Sequence, residues 1–133
     1  MHPVKQQVVR LIHAYQAAVF RAVALLNAKS AQEPGFQRRR TGYLDAHQQF
    51  RYAFHGAGCL VTMPGLEVDF DYAKEGGCAG IDGWFLVNFL EYNPAVRAQH
   101  PLLTSGASVE EALLELAKAC SPGKLTPWTA VTS

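Results

Sequence analysis

The stretch Gln49 to Tyr72 reads Q-F-R-Y-A-F-H-G-A-G-C-L-V-T-M-P-G-L-E-V-D-F-D-Y, and its alternation decides the fold. Three short runs of apolar and polar residues are separated by Gly56/Gly58 and by Pro64-Gly65. Alternation puts successive side chains on opposite faces of a strand, so each run can bury one face and wet the other. Phe50, Tyr52 and Phe54 share one face, and Arg51, Ala53 and His55 share the other. In the last run Leu66, Val68, Phe70 and Tyr72 form an apolar row, while Glu67, Asp69 and Asp71 form an acidic one. A two-residue loop at Pro64-Gly65 pairs Met63 with Leu66, Val61 with Val68 and Cys59 with Phe70, all on the apolar face. Proline at the first loop position disfavours the primed turns that suit tight hairpins, which leaves a wider loop in the same register open. The segment predicts a small antiparallel meander with a greasy side that needs helices and a charged side that faces water.

Helices are available on both flanks. From Pro3 to about Ala28, Val4, Val8, Leu11, Ile12, Tyr15, Val19, Ala22, Val23 and Leu26 recur at spacings of three and four and line up one stripe. Pro3 sits where a first-turn proline is tolerated. On the other side, Asp82 is placed to cap D-G-W-F-L-V-N-F-L-E-Y-N, whose Trp84, Phe85, Leu86, Phe89 and Leu90 make a wide apolar face. Asn93-Pro94 ends it. Ser108 with Glu111 is a capping box that opens a further helix through about Cys120, and Ser121-Pro122-Gly123 stops that one. The sequence therefore predicts an α+β domain. Its parts are a helix over 3–28, a loop over 29–46, a three- to four-stranded meander over 49–72, helices over 82–92 and 108–120 on one sheet face, and an irregular tail over 121–133.

The bulk numbers bound the function. A chain of 133 residues with 49% hydrophobic and 17% charged residues reads as one ordinary globular domain. A net charge of +1 gives no global pull toward nucleic acid or an anionic membrane. Three cysteines (Cys59, Cys78, Cys120), without a C-x-x-C pair, read as reduced thiols in a cytoplasmic setting. The N-terminus lacks signal-peptide character. Lys5, Arg10, His13 and Arg21 interrupt the most apolar segment, so no membrane span is expected.

The acidic row with His55, and Asp82 nearby in sequence, is the most chemical-looking constellation. Carboxylates and an imidazole that converge can bind a divalent ion or share acid–base work. Pairing of Arg51 or His55 with the acids requires their strands to adjoin. An alternating acidic row is also how a solvated or partner-facing strand looks, and that reading is preferred. The basic run Arg38-Arg39-Arg40 can fork onto carboxylates or phosphates, but no aromatic residues interleave with it as in single-strand binders. F-H-G-A-G-C is similar to an oxyanion loop, yet no G-x-S-x-G elbow exists in the chain. Cys59 falls on the apolar face, where a free cysteine serves as a small hydrophobe. The glycine-rich connection over 73–80 matches no phosphate-cradling fingerprint. His2, His13, His47 and His100 show no metal spacing.

H-G-x-G-C-x-V at His55 to Val61, G-x-E-V-D-F-D-Y at Gly65 to Tyr72, and G-x-D-x-W-F-L at Gly80 to Leu86 resemble a small uncharacterised bacterial domain family. The resemblance spans roughly residues 50 to 92 and brings no established activity. Proteins of this size and style are similar to immunity proteins encoded beside secreted toxins. That likeness implies a non-enzymatic, cytoplasmic protein that binds and neutralises a cognate toxin or effector domain. The expected partner-binding residues are Glu67, Asp69, Asp71, Arg38, Arg39, Arg40, Arg51 and His55, with Leu60 or Tyr43 as apolar anchors. No cofactor, metal, nucleic acid or membrane is expected. Two other readings are a small metal-dependent hydrolase or nuclease using Asp69, Asp71 and His55, and a small-ligand module with its pocket between the sheet and the Asp82 helix.

Overall fold

Helix α1 runs from Pro3 to Gln32 in the computed structural model, which describes residues 3–56, 58–71 and 83–103. Its buried stripe is Val8, Leu11, Ile12, Tyr15, Ala18, Val19, Ala22, Val23 and Leu26, matching the three-and-four spacing of the sequence. By length and composition alone α1 could cross a membrane, a test that the core helix of a folded domain also passes. The helix continues past the expected end at Ala28. Lys29 pairs with Glu33 at 2.9 Å, and the Glu33 N–H still donates to the Lys29 carbonyl at 2.8 Å. It stops where Pro34 withholds a donor and Gly35 takes a left-handed φ of 82°.

The segment over 29–46, expected to be a loop, holds more than that. After Gly35 a 3-10 turn at Phe36–Arg38 drops Phe36 into the core at 1% exposure. Its ring meets Tyr52 edge-on at 5.3 Å and tilts over Phe54 at 6.1 Å. Strand β1 then covers Thr41–Tyr43. A three-residue T-G-Y run is too short for alternation to announce a strand.

Strands β2 (Arg51–His55), β3 (Gly58–Met63) and β4 (Leu66–Asp71) follow. The sheet is antiparallel with order β1-β2-β3-β4. The expected register holds, with Met63 opposite Leu66, Val61 opposite Val68 and Cys59 opposite Phe70. The Pro64-Gly65 loop has two residues, and Gly65 takes φ 74°. A positive φ at the second position behind a proline is the type II combination, so the register survives without a primed turn.

The greasy face carries Cys59, Val61, Met63, Val68 and Phe70, all buried. Against it lie the stripe of α1 and helix α2 (Gly83–Tyr92), which contributes Leu86, Phe89 and Leu90. Tyr15 and Phe89 meet edge-to-face at 5.6 Å, tying the two helices together. Each such apolar side chain contributes about 1.5–3 kcal/mol on burial. Helix α3 (Pro94–Ala98) follows at once and leans on α2. A 3-10 turn at Pro101–Leu103 brings the chain back to α1, where the Leu102 N–H donates to Gln7 Oε1 at 3.0 Å. The fold is thus α+β, with a long helix, a four-stranded antiparallel sheet and two further short helices. The Asp82 cap, the glycine-rich connection over 73–80, the helix expected over 108–120 and the tail lie outside the described residues.

Candidate functional site: the outer sheet face

The register sorts the outer face into Thr41 and Tyr43 on β1, Arg51, Ala53 and His55 on β2, Gly58, Leu60 and Thr62 on β3, and Glu67, Asp69 and Asp71 on β4. These are the positions that alternation assigned to water. Asp69 departs from that expectation. It is 3% exposed, whereas Glu67 and Asp71 are half-buried. The acidic row is therefore not a solvated stripe, and its central carboxylate belongs to the interior.

Asp69 Oδ1 lies 2.8 Å from His55 Nε2. With Asp69 ionised the carboxylate can only accept, so Nε2 carries the proton of this bond and Nδ1 is left for other contacts. The two strands do not adjoin, since β3 runs between them, and the condition set for such a pair is overturned. Two inter-strand steps of about 4.8 Å are bridged because the residue between is glycine. A Cβ on Gly58 would stand 2.8 Å from His55 Cε1 and 3.2 Å from Asp69 Oδ1. The imidazole thus lies across a bare stretch of backbone to reach the acid. Burial pushes the Asp69 carboxyl above its ordinary value, and the bonded His55 pulls it part of the way back. His55 itself is half exposed, with 53% of its side chain open.

Gly42 repeats the device on the core face. Its cross-strand partner is Tyr52, and a Cβ there would come within 2.7 Å of the Tyr52 hydroxyl. The ring lies over the glycine and stays 2% exposed.

The outer edge of β4 is occupied. Backbone groups two residues apart on an antiparallel strand point to the same side, so Glu67 and Asp69 both address that edge. Asn93 Oδ1 accepts from the Glu67 N–H at 2.7 Å, and Asn93 Nδ2 donates to the Glu67 carbonyl at 2.6 Å. The same Nδ2 also donates to the Phe89 carbonyl at 2.9 Å. One amide side chain stands in for a neighbouring peptide group and anchors the end of α2 to the sheet. Two residues along, the Tyr15 hydroxyl donates to the Asp69 carbonyl at 3.2 Å. Neither role carries a signal in the sequence, because Asn93-Pro94 reads as a helix stop and Tyr15 as part of an apolar stripe.

The basic residues sit at the opposite edge. Arg38, Arg39, Arg40 and Arg51 are all exposed. Arg39 makes an ion pair with Glu33. Arg51 stands directly across from Tyr43, which is 40% exposed. The other suggested anchor, Leu60, is half-buried. The connection behind Tyr43 is clamped by Asp45, whose carboxylate accepts the N–H groups of Gln49 and Phe50 at 3.1 and 2.8 Å. Cys59 is fully buried on the core face, as expected, and burial pushes its thiol up to about 12. Among the described residues no three or more His, Cys, Asp or Glu side chains come together as a metal-holding group.

A four-stranded sheet with helices on one face and a mixed-charge outer face makes this a small α+β domain with an orienting His–Asp pair. Residues 8–126 match a family described as a domain of unknown function, DUF6896, and the chain belongs to that family. The match extends well beyond the 50–92 stretch that carried the resemblance. No curated protein and no solved structure matches the chain.

Proposed function

We propose that this chain is a non-enzymatic protein-binding domain, in the manner of a bacterial cytoplasmic immunity protein that seats on a cognate toxin and blocks it. The observation that carries this reading is the Tyr43–Arg51 pair. An aromatic residue, 40% exposed, stands across from an exposed arginine, with Arg38 and Arg40 close by in the chain. Tyrosine and arginine are the residue types that dominate binding energy at protein interfaces. The groups that would do chemistry are withdrawn by comparison, with Asp69 buried under His55 and Cys59 in the core. With Asp69 inside, the charge offered around Tyr43 is basic. The matching surface on a partner is then acidic.

Co-expression with the C-terminal domain of the protein encoded by the adjacent gene tests this. Growth should be arrested by that domain alone and restored by this chain, with Tyr43→Ala and Arg51→Ala restoring it poorly. A neighbouring gene whose product is harmless, or arrest that persists despite this chain, would overturn the reading.

The metal-dependent hydrolase reading draws on the 2.8 Å contact between His55 and Asp69. It requires further ligands beyond that pair. Calorimetry with Mg²⁺, Mn²⁺ and Zn²⁺ separates the two readings, because tight binding that vanishes in Asp69→Ala would favour the enzyme.

A further inference from the structure

The two edges of the sheet are treated differently. On β4 the outward backbone groups of Glu67 and the Asp69 carbonyl are taken up by Asn93 and Tyr15. On β1 the inward groups can be identified from two bonds to β2. The Phe54 N–H donates to the Arg40 carbonyl, and the Leu44 N–H donates to the Phe50 carbonyl, both at 2.7 Å. Arg40, Gly42 and Leu44 therefore face β2, and Thr41 and Tyr43 turn their N–H and C=O groups away from the sheet. Both residues are exposed, and among the described residues nothing bonds those outward groups.

We propose that β1 is a docking strand, and that an extended acidic segment of a partner protein adds to the sheet beside Thr41–Tyr43 as a fifth strand. This deepens the protein-binding reading and rests on it. Main-chain bonds to Thr41 and Tyr43 supply the pairing, as in other strand-addition complexes. Charge selects the occupant. Arg40 precedes the strand and Arg51 lies across from Tyr43, both exposed and in no ion pair among the described residues, while Arg39 is engaged by Glu33. Arginine forks favour carboxylates on the incoming strand. A second copy of this chain would bring another basic patch to the same edge, which charge opposes. Arginines beside a short edge strand also discourage indiscriminate pairing, so the device excludes neutral strands while admitting an acidic one. Tyr43 gives the incoming segment an aromatic surface on the outer face.

The test uses the full chain, a short synthetic peptide of alternating Glu and Val, a Lys-Val control, and a Glu-Val peptide with N-methylated backbone. Amide NMR should show the Glu-Val peptide perturbing Thr41 and Tyr43 and slowing their hydrogen exchange. The two control peptides should leave them unchanged. Arg51→Ala should weaken binding about fivefold, the equivalent of one exposed ion pair. Thr41→Pro removes one outward donor without touching a bond to β2, and should abolish binding while the β2–β4 amides stay in place. Equal binding of Lys-Val, perturbation confined to other strands, no binding at all, or pairing of β1 between two copies would each overturn the proposal. A toxin domain neutralised equally by wild type and Thr41→Pro would remove the docking strand and leave the protein-binding reading standing. Peptide capture without any toxin partner would keep the docking strand and the protein-binding reading and remove only the toxin from it.

Discussion

His55 on β2 and Asp69 on β4 are bonded at 2.8 Å across a strand that lies between them. The bond exists because Gly58 has no side chain to hold the two apart. It takes a carboxylate from a row that alternation assigns to water and makes it part of the interior. The outer face that remains is defined by what is left exposed, chiefly Tyr43, Arg51 and His55.

Gly58→Ala should destabilise the protein even though alanine usually suits a strand better than glycine, by roughly 0.5–1 kcal/mol. The new Cβ would meet His55 Cε1 at 2.8 Å, a contact that forces the ring away. Asp69 would then be buried without its partner, a loss on the order of 1–3 kcal/mol. Urea unfolding should show the net loss. In a His55→Ala background the same glycine change should cost much less, because the ring it displaces is already gone, and this non-additivity identifies the mechanism.

The pH dependence of stability follows from Asp69. Its carboxyl is raised above the ordinary value of 3.8, chiefly by burial, so the native state holds this proton more tightly than the unfolded chain does. The associated stability is fully present below the unfolded value and is lost as pH rises through the folded one. Asp69→Asn removes that titration while keeping a polar group opposite His55. The stability of wild type minus that of Asp69→Asn should therefore fall with rising pH in the window just above 3.8. Chemical denaturation in a pH series measures it. A difference that rises across that window would refute the account.

Asn93 seals the β4 edge with three hydrogen bonds, one accepted and two donated. Asn93→Ala leaves the Glu67 peptide groups without that partner and should cost on the order of 2 kcal/mol. Asn93→Asp is nearly the same shape, yet it should cost more. Its carboxylate keeps the acceptor for the Glu67 N–H but points a second oxygen at the Glu67 and Phe89 carbonyls, where Nδ2 stood at 2.6 and 2.9 Å. Glu67 amide exchange should speed up in both variants. Equal stability of Asn93→Asp and wild type would mean the edge is held by something else.

What alternation and helical spacing report is which side chains share a face, and there the sequence was readable. The register of β3 on β4, the α1 stripe and the buried Cys59 all follow from periods of 2 and 3.6. Whether a polar position on the wet face stays wet depends on its neighbours in space, which a single row of residues does not encode. Asp69 is the instance. Its burial needs His55 from two strands away and a glycine between, and Gly58 reads locally as turn punctuation. β1 escapes the alternation pattern for a different reason. Thr41-Gly42-Tyr43 is a strand because Phe36 and Tyr52 build a floor beneath it, with Gly42 admitting the Tyr52 ring. Asn93 shows the same limit, since its amide imitates a peptide group belonging to no adjacent residue.

Cys59 offers a direct readout of global opening. Burial, with a smaller push from the Asp69 charge, raises its thiol from 9.0 to about 12, although a backbone hydrogen bond at Ala53 works the other way. So high a value leaves far less thiolate at neutral pH than an ordinary cysteine has, and the thiolate is the reactive form. The side chain is also fully buried, so even a neutral thiol is shielded from reagent. In a Cys78→Ser, Cys120→Ser background, labelling of Cys59 should proceed only through unfolding. Its rate should rise with urea along the slope expected for exposing the whole core. Tyr15→Phe should accelerate it several-fold, because loss of the hydroxyl bond to the Asp69 carbonyl is worth about 1 kcal/mol. Rapid labelling of the native protein, with no dependence on denaturant, would mean that β3 opens locally and that the face behind Cys59 is less firmly held than the sheet contacts require.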